Sequence, residues 1–148
     1  MEGLFVLDTV GFINYFKDFF NEDERLSIDA RELINNCFDF ESPNHKLSIP
    51  SVVFIEIFEK FLKGQEKVSQ FRYEIFSKIE NNPDIEIKSI DKEVLEHFCS
   101  IDDDILKLEF HDKIITASAL QLEAAVITCD SKIIDYIKKA KKGIKFIF

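Results

Sequence analysis

Apolar residues recur along the chain with two spacings, which predict alternating strands and helices. Short apolar runs predict buried strands at 4–7, 47–49, 124–128 and 144–148, and Ile residues alternating with charged residues predict a half-exposed strand over 85–90. Between these segments, apolar residues recur at threes and fours, as on one face of a helix. Because helices separate successive strands, the pattern predicts an α/β fold with a mostly parallel sheet covered on both faces.

The helices are placed by their apolar faces and by the residues that can cap them. The predicted helices cover residues 12–20, 30–38, 52–62 and 71–79, a segment after Asp91, a segment from Asp112 and a last segment around 133–137. Ser27 or Asp29 is expected to cap the helix over 30–38, and Ser51 the helix over 52–62. Asp91 is expected to cap the helix that begins directly after it. Polar stretches at 21–25, 81–84 and 102–104 are expected to be loops, and the three Asp residues at 102–104 have a second interpretation as neighbours of a metal site.

Size and composition predict one domain spanning residues 1–148 with a substantial core. The chain is 46% hydrophobic and contains sixteen Phe. Its three cysteines are an odd number without CxxC spacing, which argues against a disulfide framework or a zinc site and fits a reducing cytosol. No apolar run approaches the roughly 20 residues that span a bilayer, and the first residues lack a basic signal region. A cytoplasmic protein without a membrane segment is expected.

The charge balance limits the kinds of partner. With 28 acidic and 19 basic residues, the net charge is −9, which argues against strong non-specific binding to nucleic acid. A local basic patch remains open at residues Lys138, Lys139, Lys141, Lys142 and Lys145. The other interpretation of these lysines is a solvated helix end, because Lys is favoured in the last turn of a helix.

Four acidic residues stand where the predicted fold makes an acid unexpected. They are Asp8 and Asp130, which follow apolar strands, Asp112 at a helix start, and Glu56 inside an apolar helix. In a parallel sheet, strand ends and the starts of the following helices share one edge, so these acids are expected to converge there. The hydroxyls of Thr9 and Thr128 stand beside strand-end acids and could orient a carboxylate or a water molecule, although β-propensity also explains a Thr in a strand.

Convergent carboxylates predict a site for a hard divalent cation. Several carboxylates within a few ångströms repel one another and are partly protonated at neutral pH unless a cation neutralises them. Oxygen ligands without His or Cys favour Mg²⁺ or Mn²⁺ over zinc. Such a site suits the hydrolysis of phosphodiester bonds, since the ion activates water and offsets charge on phosphoryl oxygens.

Three of the acids also have a purely structural interpretation. Asp8 could be a helix N-cap, Asp112 could stabilise a helix dipole, and Asp130 could cap a helix or form a turn. The three residues taken singly therefore leave both interpretations open.

Glu56 is harder to explain as a structural residue. A lone carboxylate buried in an apolar helix costs several kcal/mol unless it is paired or bound to an ion. On a helical wheel, however, it lies off the apolar stripe that includes Phe54 and Phe58, which allows partial exposure. His111 could shuttle a proton or contact phosphate, or be an ordinary polar residue at a helix start.

Four segments of the chain share the arrangement of a known family. They read LFVLDTVGFINYF, SVVFIEIFEKF, EFHDKIITASAL and AVITCDSKI. Together they resemble the PIN domain, in particular the VapC-type toxins and related small prokaryotic ribonucleases, from Leu4 to Ile147. The most specific parts are HDKIITASAL and the ITCD that follows it. One difference is Val10, which stands where many members carry a small polar residue.

The resemblance implies a fold, an activity and partners. The fold is an α/β/α sandwich around a parallel sheet, and the activity is that of a Mg²⁺- or Mn²⁺-dependent endoribonuclease acting on RNA. The implied site residues are Asp8, Glu56, Asp112 and Asp130, with Thr9 and Thr128 as supporting hydroxyls. Family members commonly form homodimers, and toxins of this type are held inactive by a cognate antitoxin.

Two other functions stay open from the sequence. One is a catalytically inactive PIN-like module that binds RNA or a protein. Four intact acids argue against it, because a scaffold has little reason to keep mutually repelling carboxylates. The other is a phosphohydrolase acting on small phosphate esters, which the lack of a Gly-rich phosphate loop disfavours.

Overall fold

The computed structural model describes residues 3–39, 45–140 and 143–147. Within them, five strands form one sheet in the order β3-β2-β1-β4-β5, and all four pairings are parallel. The strands are β1 (Gly3–Leu7), β2 (His45–Pro50), β3 (Ile85–Lys88), β4 (Ala125–Ile127) and β5 (Phe146–Ile147). The prediction of a mostly parallel sheet is confirmed, and each of the five predicted strands is present.

Helices connect the strands and cover the sheet, which confirms the predicted α/β/α sandwich. They are α1 (Thr9–Tyr15), α2 (Lys17–Phe20), α3 (Ile28–Phe38), α4 (Ser51–Lys60), α5 (Gln65–Phe71), α6 (Ser77–Glu80), α7 (Lys92–Cys99), α8 (Phe110–Leu122) and α9 (Ser131–Ala140). A π-helical turn, Arg72–Phe76, joins α5 to α6. None of the helices within the described ranges has the length and apolar character that a membrane-spanning helix requires.

The core lies on both sides of the central strands. Val6 and Leu7 of β1 are fully buried, because β2 and β4 flank this strand and helices cover both of its faces. On one side Phe12 is buried against the rings of Phe54 and Phe71, with ring centroids 5.6 and 6.3 Å away. Ile87 of β3 is more than a third exposed because this strand lies at the edge of the sheet.

Two helix boundaries differ from the sequence prediction, and a third is decided between the two caps that the sequence allows. The first predicted helix is divided at Phe16 into α1 and α2. The second is capped by Ser27, whose hydroxyl accepts a hydrogen bond from the amide of Ala30 at 3.1 Å, and so not by Asp29. Ser51 was expected to cap α4, but it is the first helical residue, and no side chain caps this end.

The helix predicted over 71–79 is longer than its apolar pattern indicates. It begins with α5 at Gln65, six residues earlier, and continues through the π-helical turn to Glu80. The start was missed because Val68 is the only apolar residue from Gln65 to Gln70. The π-turn adds a residue to the helical repeat, which further obscures the periodicity.

The exposed face of α4 was also predicted incorrectly. The helix was expected to be apolar on all sides and buried, with partial exposure allowed for Glu56. Instead Ile55 is 51% and Phe58 is 44% exposed, whereas Glu56 is only 9% exposed. The carboxylate therefore points into the protein beside Val53 and Ile57, which are fully buried.

The lysines near the C-terminus lie away from the strand ends that carry the acids. The helix α9 begins immediately after Asp130 and runs back along the sheet for ten residues, about 15 Å at 1.5 Å per residue. Lys138 and Lys139 are in its last turn, and Lys145 precedes β5. Lys141 and Lys142 lie outside the described residues. The basic patch considered from the sequence is thus not placed beside the acids.

Candidate active site at the carboxyl edge of the sheet

Asp8 is the most deeply buried acid of the site. It follows the last residue of β1, and its side chain is 1% exposed. One carboxylate oxygen accepts a hydrogen bond from the amide of Gly11 at 2.7 Å, which makes Asp8 the N-cap of α1. The other oxygen accepts a hydrogen bond from the hydroxyl of Thr128. The structural role expected as an alternative is therefore present together with a contact across the sheet.

Gly11 allows the close approach of β1, β4 and the carboxylate of Asp8. A Cβ atom at this position would lie 2.8 Å from Oδ1 of Asp8, 2.9 Å from Cδ1 of Leu7 and 3.2 Å from the carbonyl oxygen of Ile127. Two of these distances are shorter than Cβ contacts found in proteins. Glycine is required here by space and not by backbone conformation.

Thr128 connects two of the predicted acids. Its fully buried hydroxyl donates to Asp8 and accepts a hydrogen bond from the amide of Asp130 at 2.9 Å. The carboxylate of Asp130 in turn accepts a hydrogen bond from the amide of Lys132 at 2.9 Å, in the first turn of α9. The predicted role of Thr128 as a hydroxyl that orients a strand-end carboxylate agrees with these contacts.

The pKa shifts of Asp8 and Asp112 show that the four acids interact through their charges. Burial raises the pKa of Asp8 to about 7, opposed by its two hydrogen bonds and assisted by the charges of Asp112 and Asp130. Burial also raises the pKa of Asp112 to about 7, and the charges of Asp130 and Glu56 add to the effect. Each acid thus influences at least one other, as expected for carboxylates that share one edge of the sheet.

Glu56 reaches the site from α4 and meets two basic side chains. One of its carboxylate oxygens lies 3.2 Å from Nζ of Lys60 and 3.4 Å from Nδ1 of His111. Lys60 is one turn later on the same helix, and His111 precedes Asp112 on α8. His111 therefore joins the two helices that supply Glu56 and Asp112.

Thr9 has a buried hydroxyl that the fold leaves unsatisfied. Its Oγ1 is buried and has no hydrogen-bond partner among the residues that the structure describes. The residue directly follows Asp8 and begins α1. An unpaired buried hydroxyl carries a free-energy cost of about 1–3 kcal/mol, so a ligand at this edge would have a polar group available to it.

The acids approach one another without forming a closed cage. Across the described ranges, no three His, Cys, Asp or Glu side chains are grouped closely enough to enclose a metal ion. Mg²⁺ does not need such a cage, because it usually keeps several waters and binds through one or two carboxylates together with substrate phosphates. An all-oxygen donor set with raised carboxyl pKa values and the free hydroxyl of Thr9 fits a hard divalent cation of this kind.

Two residues of the site were not singled out from the sequence. Gly11 gave no sequence signal, since its role depends on the distance between β1 and β4. Lys60 could have been recognised, because it stands four residues after Glu56 on a predicted helix, the spacing of an intrahelical ion pair.

A parallel α/β sandwich with buried acids at the ends of adjacent strands defines a recognisable class of domain. The PIN domain family model matches residues 5–139. The chain belongs to the PIN domain family, as the four sequence segments predict. A search of curated proteins gives no match.

Solved structures with the same fold include toxin-antitoxin complexes. VapBC2 from Rickettsia felis, bound to a promoter DNA fragment, has a TM-score of 0.64 at 16% identity, covering 97% of this chain and 96% of that one. DNA-bound VapBC from Salmonella typhimurium has a TM-score of 0.62 at 19% identity, covering 99% and 97%. VapBC-1 from nontypeable Haemophilus influenzae has a TM-score of 0.64 at 17% identity, covering 97% and 96%. At these identities the similarity is one of fold.

Proposed function

We propose that this PIN domain is a metal-dependent endoribonuclease that hydrolyses phosphodiester bonds of RNA. The observation that carries the proposal is the mutual repulsion of the acids. Burial raises the pKa of Asp8 and of Asp112 to about 7, and the negative charge of Asp130 contributes to both shifts. Folding has brought together carboxylates whose mutual repulsion has no structural benefit. A bound divalent cation turns this repulsion into attraction.

The proposed ligands are Asp8, Glu56, Asp112 and Asp130, and the ion is Mg²⁺ or Mn²⁺. When bound, such an ion supplies a Lewis acid for phosphoryl oxygens and lowers the pKa of water. The protein's own part is orientation. Thr128 holds the Asp8 carboxylate in place and leaves Asp130 free to face the same edge, because it binds the amide of Asp130 and not its side chain.

Lys60 and His111 hold Glu56 in position on the other side of the site. Both contact the same carboxylate oxygen, Oε2, so the second oxygen stays available for a ligand. Replacement of either basic residue would leave a largely buried carboxylate with fewer partners. Thr9 adds a hydroxyl that can donate to a phosphate oxygen or orient a water molecule.

RNA cleavage in the presence of Mn²⁺ tests the proposal. The wild-type protein is expected to cleave single-stranded RNA, and Asp112→Asn is expected to abolish most of the activity while the protein stays folded. Removal of divalent ions by a chelator should have the same effect as the substitution. Equal cleavage by the wild type and Asp112→Asn would contradict the proposal.

We propose further that the protein is the toxin of a toxin-antitoxin pair and acts in the cytoplasm as a homodimer. The structural neighbours from VapBC complexes support a cognate antitoxin. Large apolar side chains exposed near the acids also support a protein partner: Ile55 and Phe58 on α4, and Phe110 at the start of α8, which is 65% exposed. Co-expression with the product of an adjacent small reading frame tests this partner, and light scattering tests the homodimer.

A catalytically inactive binding module is the second candidate. It is favoured by the finding that, in the described part of the chain, no three potential ligands are grouped closely enough to enclose an ion. Calorimetric titration separates the two candidates. The nuclease requires binding of Mn²⁺ that weakens in Asp112→Asn, whereas the module predicts no binding at millimolar concentrations of the ion.

A further inference from the structure

A small cleft opens beside the first turn of α1, next to the proposed active site. Its volume is about 110 Å³. The lining residues are Val10, Ile13, Asn14, Glu22, Arg25 and Phe61. Val10 stands two residues after Asp8, and Arg25, another lining residue, contacts the carbonyl of Cys129, which directly precedes Asp130. Apolar side chains form its walls, and Glu22 and Arg25 are exposed charged residues at its border.

The loop that carries Arg25 is held in place by the side chain of Asn14. Asn14 is 2% exposed; its amide nitrogen donates to the carbonyl of Asp23 at 2.6 Å, and its amide oxygen accepts from the backbone nitrogens of Arg25 and Leu26 at 2.8 and 3.0 Å. Three hydrogen bonds from one buried side chain fix the backbone of this loop. The position of Arg25 is therefore set before any ligand binds.

The guanidinium of Arg25 is directed toward the strand end that carries Asp130. Its Nη2 donates to the carbonyl oxygen of Cys129 at 3.3 Å. Among the residues that the structure describes, no carboxylate forms an ion pair with Arg25, whereas Arg31 is paired with Glu24 at 2.9 Å. A guanidinium presents five N–H donors, so Arg25 keeps donors and a full charge available.

We propose that this cleft is a subsite for one nucleotide of single-stranded RNA next to the bond that is cleaved, with the base against Phe61 and Val10 and its phosphate on Arg25. The inference rests on the proposed function and names how the substrate is held. The ring of Phe61 is 38% exposed, which leaves a surface on which a base can stack. Arginine matches the geometry of a phosphate and binds it through paired hydrogen bonds.

The combination of charge and apolar wall favours a nucleotide over an apolar peptide side chain. A purely apolar occupant would offer no acceptor to the remaining N–H donors of Arg25, whereas a nucleotide contacts both this cation and the apolar walls of the cleft. Glu22 repels phosphate from its own side of the cleft and can accept a hydrogen bond from an exocyclic amino group of a base. The net charge of −9 makes a dedicated cation important, since the overall field does not attract RNA.

Binding of RNA, measured separately from cleavage, tests the subsite. Fluorescence anisotropy of a short labelled single-stranded RNA is followed with Mg²⁺ in an Asp112→Asn background, which keeps the RNA intact. Arg25→Met is expected to weaken binding about tenfold and to lower the slope of log Kd against log salt by about 0.7, the loss of one phosphate contact. Phe61→Ala is expected to weaken binding about tenfold through lost stacking.

Two matched variants control for changes of charge and of exposed aromatic surface. Arg72→Met removes an exposed arginine and Tyr73→Ala an exposed ring, both on the π-helical turn and outside the cleft. Both are expected to bind RNA like the parent. As a second measurement, adenosine monophosphate should shift the NMR methyl signals of Val10 and Ile13 in the parent and not in Arg25→Met. Thermal melting verifies that each variant is folded.

The outcomes separate the subsite from the proposed function. Equal RNA affinity of Arg25→Met and Arg72→Met, or a parent that binds no RNA, would overturn the subsite. If Arg25→Met and Phe61→Ala both bind RNA like the parent, the cleft does not hold a nucleotide and a protein partner becomes its expected occupant. RNA binding that depends on Arg25 and Phe61 without cleavage by the wild type in Mn²⁺ would support the subsite and contradict the nuclease. If Arg25→Met and Phe61→Ala cleave RNA as fast as the wild type, the result would support the nuclease and contradict the subsite.

Discussion

Thr128 donates a hydrogen bond to the buried carboxylate of Asp8 from a position 120 residues later in the chain. The contact spans the pairing of β1 with β4, in which Leu7 lies beside Ile127. It is the point where the two halves of the proposed active site are joined. Because the same hydroxyl also accepts from the amide of Asp130, one side chain positions two acids.

Replacement of Thr128 by Val should therefore disturb the site more than its small change in shape suggests. It removes a donor from a buried carboxylate and leaves the amide of Asp130 without its acceptor, which is expected to cost about 2–4 kcal/mol of unfolding free energy in the metal-free protein. RNA cleavage should fall at least tenfold. Thr128→Ser keeps the hydroxyl and serves as the control. If chemical denaturation gives the same free energy of unfolding for Thr128→Val and Thr128→Ser, the hydrogen bond does not stabilise the fold.

Gly11→Ala is expected to destabilise the protein although alanine favours helices. The added Cβ would lie 2.8 Å from Oδ1 of Asp8 and 3.2 Å from the carbonyl oxygen of Ile127, so either the carboxylate or β4 must move. Overpacking of this kind costs roughly 1–3 kcal/mol. Thermal unfolding measures the loss. A melting temperature equal to or above that of the wild type would show that the edge of the sheet can adjust.

Asp112→Asn should make the metal-free protein more stable above neutral pH. Burial and the neighbouring charges raise the pKa of Asp112 from 3.8 to about 7 in the folded protein. The folded state therefore holds a proton that the unfolded chain has lost, and wild-type stability falls as pH rises from about 4 to about 7. Asp112→Asn has no ionisable group at this position and does not lose stability in this way. Its free energy of unfolding relative to the wild type is expected to rise across that pH interval and to level off at about 1–2 kcal/mol, after allowance for partial screening by water.

Urea denaturation at several pH values measures the advantage of Asp112→Asn. Asp103→Asn is a suitable control, since Asp103 is exposed and pairs with Lys113 at 2.9 Å. A variant of Asp112 that is less stable than the wild type at pH 8 would mean that its carboxylate is satisfied without a cation. Loss of cleavage together with a gain of stability would identify Asp112 as a residue kept for function.

Divalent cations should reverse this pH dependence. An ion that binds only the folded protein stabilises it by about 2.7 kcal/mol at a hundred times its Kd. Because the ion requires ionised carboxylates, Mn²⁺ is expected to raise the melting temperature more at pH 7.5 than at pH 5.5. Ca²⁺ and Na⁺ at equal ionic strength distinguish specific binding from screening. An increase that is independent of pH would contradict binding at Asp8 and Asp112.

Asn14→Ala should loosen the loop that carries Arg25. The substitution removes three hydrogen bonds and leaves the partly buried amide of Arg25 and the buried amide of Leu26 without an acceptor, which is expected to cost about 2–4 kcal/mol. Hydrogen exchange should accelerate at these two amides. Asn81→Ala, which removes one exposed hydrogen bond to the carbonyl of Ser77, provides the comparison. Unchanged exchange at Leu26 would show that other contacts fix the loop.

The sequence predicts the fold well because the strands are short apolar runs and the helices have clear apolar faces. The start of α5 escapes prediction because few of its residues are apolar, and the π-helical turn disturbs the repeat. For α4, nearly every residue is apolar, so periodicity could not identify its buried face. The exposure of Ile55 and the burial of Glu56 depend on which neighbouring helix packs where.

The four acids of the proposed site are also candidates from the sequence alone, since two follow apolar strands, one starts a helix and one lies in an apolar helix. Their supporting contacts are less accessible. That Thr128 bonds to Asp8, or that Asn14 fixes the loop before Arg25, depends on register and on distances that only the folded chain defines. Composition also does not show at which end of the sheet a helix terminates, so the position of Lys138 and Lys139 relative to the acids depends on the folded chain.

The pairing of β1 with β4 also sets the order in which the proposed site can be assembled during synthesis. Asp8 emerges early from the ribosome, but its partner Thr128 is made 120 residues later. Until β4 has been synthesised and has docked, the carboxylate lacks its cross-strand hydrogen bond, and Asp130 does not yet exist. The proposed nuclease site therefore cannot be complete until most of the domain has been synthesised.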